Sequence, residues 1–304
     1  RAYNKFIDNL GAVVYEDPWL AGGHNGLSNS EDPKVPEEPF LRVSLLRKYM
    51  RSVGLGQIPI IMAGGVWHLE EWQDWIDNPE LGPIAFQFGT RPLLTEESPI
   101  PSAWKQRLFN IGKGDVKLHR FSPTGFYSSA VKNDFINELI ARSRREISYS
   151  SLPPDNANRE FNLKMQLGKN NKIYYFREQE FNKLKDWVSQ GYTEPLKTPD
   201  DTLVLVDLDK AREIRKDQID CMGCLSQCKF SNWADNEKNS TGKKVDPRSF
   251  CIQKTLQDVA HGDGLENQLM FAGHNAWRFG KDPYYSNGFI PTVKQLFDRI
   301  LTGF

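Results

Sequence analysis

Three short apolar runs in the first third of the chain constrain the fold most. They are GAVVYED at 11–17, IPIIMAGG at 58–65 and PIAFQFGT at 83–90. The second is apolar throughout, as suits a parallel strand covered on both faces. Between the runs lie helical patterns. Leu41, Leu45, Tyr49 and Val53 form a stripe of period four that Gly54 is placed to end, and LEEWQDWID at 69–77 predicts a second helix with Leu69, Trp72 and Ile76 inward. RAYNKFIDNLG at 1–11 reads as a helix on which Tyr3, Phe6, Ile7 and Leu10 share a face. Alternating helices and strands with short connections imply parallel strands joined by right-handed crossovers, in a (β/α)8 barrel or a doubly wound sheet.

Each of the three strands leads to glycine: AGGHNG at 21–26, AGG at 63–65, and FGTR at 88–91. Ligands bind at the carboxyl ends of parallel strands. Gly64, Gly65, Gly89 and Thr90 are placed there to offer backbone N–H groups and one hydroxyl to a phosphate at a helix N-terminus. Arg91 either adds charge or is a surface arginine. His24 either packs or serves as a base, since its ordinary pKa lies near physiological pH. His68, beside Trp67 just past the second loop, is a weaker candidate that either packs or joins the site; His119, His261 and His274 carry no motif, and FAGHNA at 271–276 echoes AGGHNG only once, which is read as coincidence.

AGGH after a strand, then PIIMAGGV, then AFQFGTR followed by TEES, resemble in order and spacing the nitronate monooxygenase (2-nitropropane dioxygenase) family of FMN-dependent barrels, over about residues 1–105. That family is related to flavin-dependent enoyl reductases. The resemblance implies FMN as cofactor, with Gly22, Gly23, Ala63, Gly64, Gly65, Gln87, Gly89 and Thr90 around it and His24 as catalytic base. It implies oxidation of a small nitronate or nitroalkane by molecular oxygen. An NAD(P)H-dependent enoyl-type reductase is the second enzyme reading, and a non-catalytic metal-binding scaffold is the reading from another class. The fold class expected is α/β, the C-terminal part of a TIM barrel carrying strands six to eight, with a smaller α+β and cysteine-cluster extension. An upstream barrel half or a homo-oligomer would then complete the sheet.

Beyond residue 100 the alternation fades. AVKNDFINELIARSRRE at 130–146 reads as an amphipathic helix through Val131, Phe135, Leu139 and Ile140, and SLPPDNANRE at 151–160 reads as a loop. IYYF at 173–176 and TLVLVDL at 202–208 are expected strands flanking a helix at 178–191. The closing PTVKQLFDRILTG predicts a helix with Val293, Leu296, Phe297 and Ile300 on one face. Three segments are expected: 1–149, a partial FMN-binding barrel; 150–215, a small α+β insertion; and 216–304, a cysteine-cluster segment with the last helix.

All four cysteines, Cys221, Cys224, Cys228 and Cys251, fall in the last third, in the pattern C-x2-C-x3-C-x22-C. Such spacing lets thiolates converge on a metal centre. The motif resembles the [4Fe–4S] site of the 2,4-dienoyl-CoA reductase and trimethylamine dehydrogenase group, in which the last gap is shorter; tetrahedral zinc and unligated thiols are the alternatives. Lys243 and Lys244 read as a solvated loop between the third and fourth ligands. The aromatic-rich stretch at 271–289 suits a barrel cap or a subunit contact.

Composition narrows the classes. Lysine plus arginine equals aspartate plus glutamate at 39 each, which gives no electrostatic case for nucleic acid. The longest apolar run is too short to cross a bilayer, and no signal peptide opens the sequence, so a soluble, cytoplasmic protein is expected.

Overall fold

The structure is a computed structural model that describes residues 7–28, 30–225, 228–231, 245–262 and 264–303. The chain forms a mixed α/β fold of two compact units. One comprises residues 1–120, 126–132 and 258–304, the other 121–125 and 133–257. These units cut the chain at places other than the three expected segments, because residues after 257 return to pair with the first unit.

In the first unit, β1 (Val13–Glu16), β2 (Gly23–His24), α1 (Pro39–Ser52), β3 (Ile60–Ala63), β4 (Ile84–Phe86), α2 (Ser102–Phe109), β5 (Val116–His119) and β6 (Ser128–Val131) follow in order. β1, β3 and β4 make the expected parallel sheet with β3 central, Val13 opposite Ile60 and Ile60 opposite Ile84. Ile60, Met62 and Ala63 of β3 are buried. A second sheet, which the sequence pattern did not suggest, is antiparallel with β6 between β2 and β5. All four residues of β6 are buried, and Ala130 bridges to Phe271. The segment after residue 264 thus adds to this sheet. Its aromatics, Phe279 and Tyr285, pack edge-on against Trp67 in the unit's core.

Several helix expectations are corrected. α1 turns the opposite face inward: Leu41, Leu45 and Tyr49 are exposed, whereas Val43, Arg47 and Met50 are buried. Arg47 decides the rotation, because its guanidinium donates to the carbonyls of Gly56, Ile58, Leu81 and Pro83 at 2.5–2.9 Å. The stretch after β3 is a 3-10 run, Leu69–Trp75, broken at Trp72, with Trp75 buried and Ile76 exposed. There the Trp72 and Trp75 rings meet edge-on at 4.7 Å, and Trp72 also meets Phe86. Indole packing replaces a regular ladder in a span too short to hold one unaided. Ile7–Asn9 is a 3-10 turn, Leu10 and Gly11 are irregular, and residues 1–6 of the predicted first helix lie outside the described residues. On the C-terminal helix, Val293–Thr302, only Leu296 is buried, while Val293 and Phe297 are exposed.

The second unit holds α3 (Asp134–Arg144), β7 (Glu146–Ser148), β8 (Leu163–Leu167), β9 (Lys172–Phe176), α4 (Glu178–Ser189), β10 (Glu194–Lys197), β11 (Thr202–Val206), α5 (Leu208–Ile219) and α6 (Ile252–His261), the last of which contains the unit boundary. Val131 is in β6 rather than on α3, because Asn133 caps the helix by accepting from the N–H of Ile136. β11, buried from Leu203 to Val206, is the centre of an antiparallel sheet between β10 and β7, and β8 and β9 form a hairpin. Residues 151–160 are irregular, as expected. Lys243 and Lys244 lie outside the described residues. Among the described residues no helix is long and apolar enough to cross a membrane.

Candidate functional site

Asp17 shapes the loop after β1. Its N–H donates to Ala63 in the neighbouring strand end, its Oδ1 accepts from the N–H groups of Trp19 and Leu20 at 2.9 Å, and its carbonyl accepts from Ala21. The chain is thereby turned back over the end of β3. Gly64 follows β3 at φ +83° and runs against that turn, where a Cβ would stand 2.9 Å from the Asp17 carbonyl oxygen. Only glycine meets both conditions.

All eight residues expected around the cofactor, Gly22, Gly23, Ala63, Gly64, Gly65, Gln87, Gly89 and Thr90, line one cavity of about 340 Å³. The volume lies in the range of about 300–1,000 Å³ typical of small-molecule sites. Among the described residues no protein acceptor takes the N–H groups of Gly64, Gly65 or Gly89. Among the glycines that line the cavity Gly89 stands apart: its φ is not positive, and a Cβ there would meet nothing within 4 Å. Neither strain nor packing asks for glycine at that point. No α-helix begins at these loops. A 3-10 run follows β3 and a four-residue 3-10 turn, Arg91–Leu94, follows β4. The expected helix N-terminus is therefore replaced by loop amides, which can themselves form an anion-binding concavity.

His24 does not line the cavity. It stands one residue beyond Gly23, opposite Ser128 of β6, with its ring 5.8 Å from that of Phe271, which does line it. Burial lowers its pKa, so the imidazole is neutral at physiological pH. His119 is also opposite Ser128, from the other side of β6. Its pKa falls to about 4 through burial and, secondarily, the nearby His24. His274 Nε2 lies 3.2 Å from the hydroxyl of Ser129. His68 packs beside Asp282 at 3.2 Å. Arg91 is no surface residue: it is buried, donates to the Trp67 carbonyl at 2.6 Å and the Tyr285 hydroxyl at 3.0 Å, and lies over the Trp67 ring.

Residues 271–275 supply a wall that the sequence reading missed. Phe271, Ala272, Gly273 and Asn275 line the cavity, and the loop is tied to all three glycine loops. The N–H of His274 donates to Leu20, the Asn275 amide to the Gly65 carbonyl, and the N–H of Gly273 to the Thr90 hydroxyl, at 2.6–2.9 Å. A Cβ on Gly22 would lie 2.6 Å from the backbone of Ala272. The echo of AGGHNG in FAGHNA was the available signal, since the two segments meet at one cavity. Glu16, at the end of β1, also lines it, with a carboxyl pKa raised by burial and then by Asp17.

In the second unit, all four cysteines line a separate cavity of about 230 Å³. Among the described residues no three histidine, cysteine, aspartate or glutamate side chains converge closely enough to hold one metal ion.

A family model for nitronate monooxygenase matches residues 12–191, more than half of the chain, and the cysteines lie beyond it. No curated protein sequence matches significantly. Among solved structures, FabK from Thermotoga maritima aligns over 99% of this chain and 57% of its own at 16% identity and a TM-score of 0.44. A FabK point mutant from the same organism aligns over 44% of this chain and 39% of its own at 21% identity and a TM-score of 0.31. The chain thus spans little more than half the length of the FabK chain it matches, and likenesses this loose carry no argument about function.

Proposed function

Because this chain belongs to the nitronate monooxygenase family, we propose that the glycine-walled cavity of its first unit seats FMN and that the protein is an FMN-dependent oxidoreductase acting on small nitronates or nitroalkanes with molecular oxygen. We read the parallel sheet β1, β3, β4 as the last three strands of the family's barrel. The observation that carries the cofactor assignment is Gly89, a glycine that neither packing nor backbone conformation requires, opening onto space beside free amides. A ligand pressed against the main chain accounts for it. Gly64, Gly65, Gly89 and Thr90 would hold the phosphate through N–H groups. The Thr90 hydroxyl would add a donor while accepting from Gly273. Gly22, Gly23, Ala63 and Gln87 would border the ring system.

FMN, when bound, supplies the two-electron chemistry. The protein's part is to orient the reactants and manage protons. A proton on the carbon bearing the nitro group calls for a base that is unprotonated at working pH, and burial holds His24 in that state. Phe271, in contact with both the cavity and the His24 ring, would shield the reacting carbon from water. This reaction makes no use of the cysteines.

Flavin binding is the direct test. The purified protein should retain or take up FMN, read as quenching of flavin fluorescence. Gly89→Ala should weaken FMN binding by about tenfold or more, equivalent to about 1.4 kcal/mol, with an unchanged melting temperature. A folded protein that binds no flavin would overturn the assignment. Anaerobic bleaching of the flavin by an alkyl nitronate is expected. Bleaching by NADPH alone would keep the cofactor and replace the reaction with the enoyl-reductase type.

A further inference from the structure

From the cavity in the second unit, we infer that Cys221, Cys224, Cys228 and Cys251 hold a polynuclear [4Fe–4S] cluster rather than a single metal ion. The four residues come from two places in the chain. Three follow α5, and Cys251 immediately precedes α6, yet all of them line one cavity of about 230 Å³. Close spacing in sequence does not by itself bring a fourth cysteine from 23 positions away onto the same cavity.

The way the thiols are spread separates the candidate metals. A tetrahedral zinc ion, with Zn–S bonds of about 2.3 Å, draws its four sulfurs into contact with one another and leaves no space among them. Here all four cysteines line one cavity of about 230 Å³, more room than sulfurs in mutual contact would leave. A cubane suits that arrangement, because each cysteine meets its own iron and the irons and sulfides occupy the middle.

Hydrogen-bond donors already aimed at sulfur strengthen the case. The N–H of Gly223, at φ +69°, points at Cys221 Sγ at 3.5 Å, and the Ser231 hydroxyl lies 2.8 Å from the same sulfur. The N–H of Lys254, in the first turn of α6, bonds to the sulfur of Cys251. Donors to cysteine sulfur are the usual outer shell of such clusters and help to set their potential. Leu225 and Phe230, in an apolar cluster with Cys228, wall one side of the cavity.

Metal analysis of the protein purified without oxygen tests this. About four irons and four acid-labile sulfides per chain are expected, with a paramagnetic resonance signal after dithionite reduction. Cys224→Ala and Cys251→Ala should each remove most of the iron while FMN content stays unchanged, which keeps this result separate from the flavin assignment. Zinc without sulfide, about two irons per chain, or a folded protein that takes up neither iron nor sulfide on anaerobic reconstitution would each overturn it. The wild-type stoichiometry decides even if a variant fails to fold.

Discussion

Arg91 is fully buried, its guanidinium held by the Trp67 carbonyl and the Tyr285 hydroxyl and set 3.9 Å from the Asp282 carboxylate. The Asp282 side chain is largely buried as well, yet the indole N–H of Trp67, the N–H of Tyr284 and the Arg91 guanidinium keep its carboxyl below the usual range. The pair thus links the loop after β3, the turn after β4 and the aromatic segment near 282–285. Removing one partner of such a pair strands the other, at a cost of about 3–5 kcal/mol. Arg91→Met should therefore lower unfolding stability by that order in denaturant titration. Arg91→Lys should recover only part of it, because an ammonium cannot reach two acceptors in one plane as a guanidinium does. Nothing in the sequence around FGTR separates this arginine from a surface one. What distinguishes it is a set of partners nearly 200 positions away.

At the scale of elements, α1 shows how a correct helix can carry a misleading face. Its span was legible from its period and from Gly54, but a stripe of Leu41, Leu45 and Tyr49 outvoted the single charged residue that sets the rotation. Leu45→Glu should change stability by no more than about 0.5 kcal/mol, as for exposed positions generally. Arg47→Met leaves four carbonyls without their donor and should cost about 4 kcal/mol or more, at about 1 kcal/mol or more for each group left unmet. Paired melting curves check both. β3 was readable because a strand covered on both faces writes itself as an apolar run, whereas β1 and β4, which are only half-buried, were readable from their place between helical patterns and from their glycine ends. β2, β5 and β6 were not readable: they are two to four residues long, β6 reads SSAV, and their pairing is a long-range matter. The same limit hid residues 271–275, whose part in the site depends on contacts rather than on composition.

For the molecule as a whole, His119 couples folding to acidity. Folded, its pKa is about 4; unfolded, about 6.5. Between those values the unfolded chain binds more protons, so stability is complete above about pH 6.5 and falls as the pH drops towards 4. The loss should reach about 3 kcal/mol. Glu16 and Asp17, whose pKa values burial raises, act in the opposite sense, so the measurement is a difference. Between pH 7 and 4.5 the wild type should lose about 2–3 kcal/mol more than His119→Gln in denaturant unfolding; equal losses would remove His119 from the account. The contact between Gly22 and Ala272 has a further consequence in time. These positions stand 250 apart, so a nascent chain leaving the ribosome makes the first wall of the pocket long before the last one exists. Closure of the pocket must then await residues 271–275, and a translation product halted before position 271 would carry all three glycine loops and still lack the wall that completes the cavity.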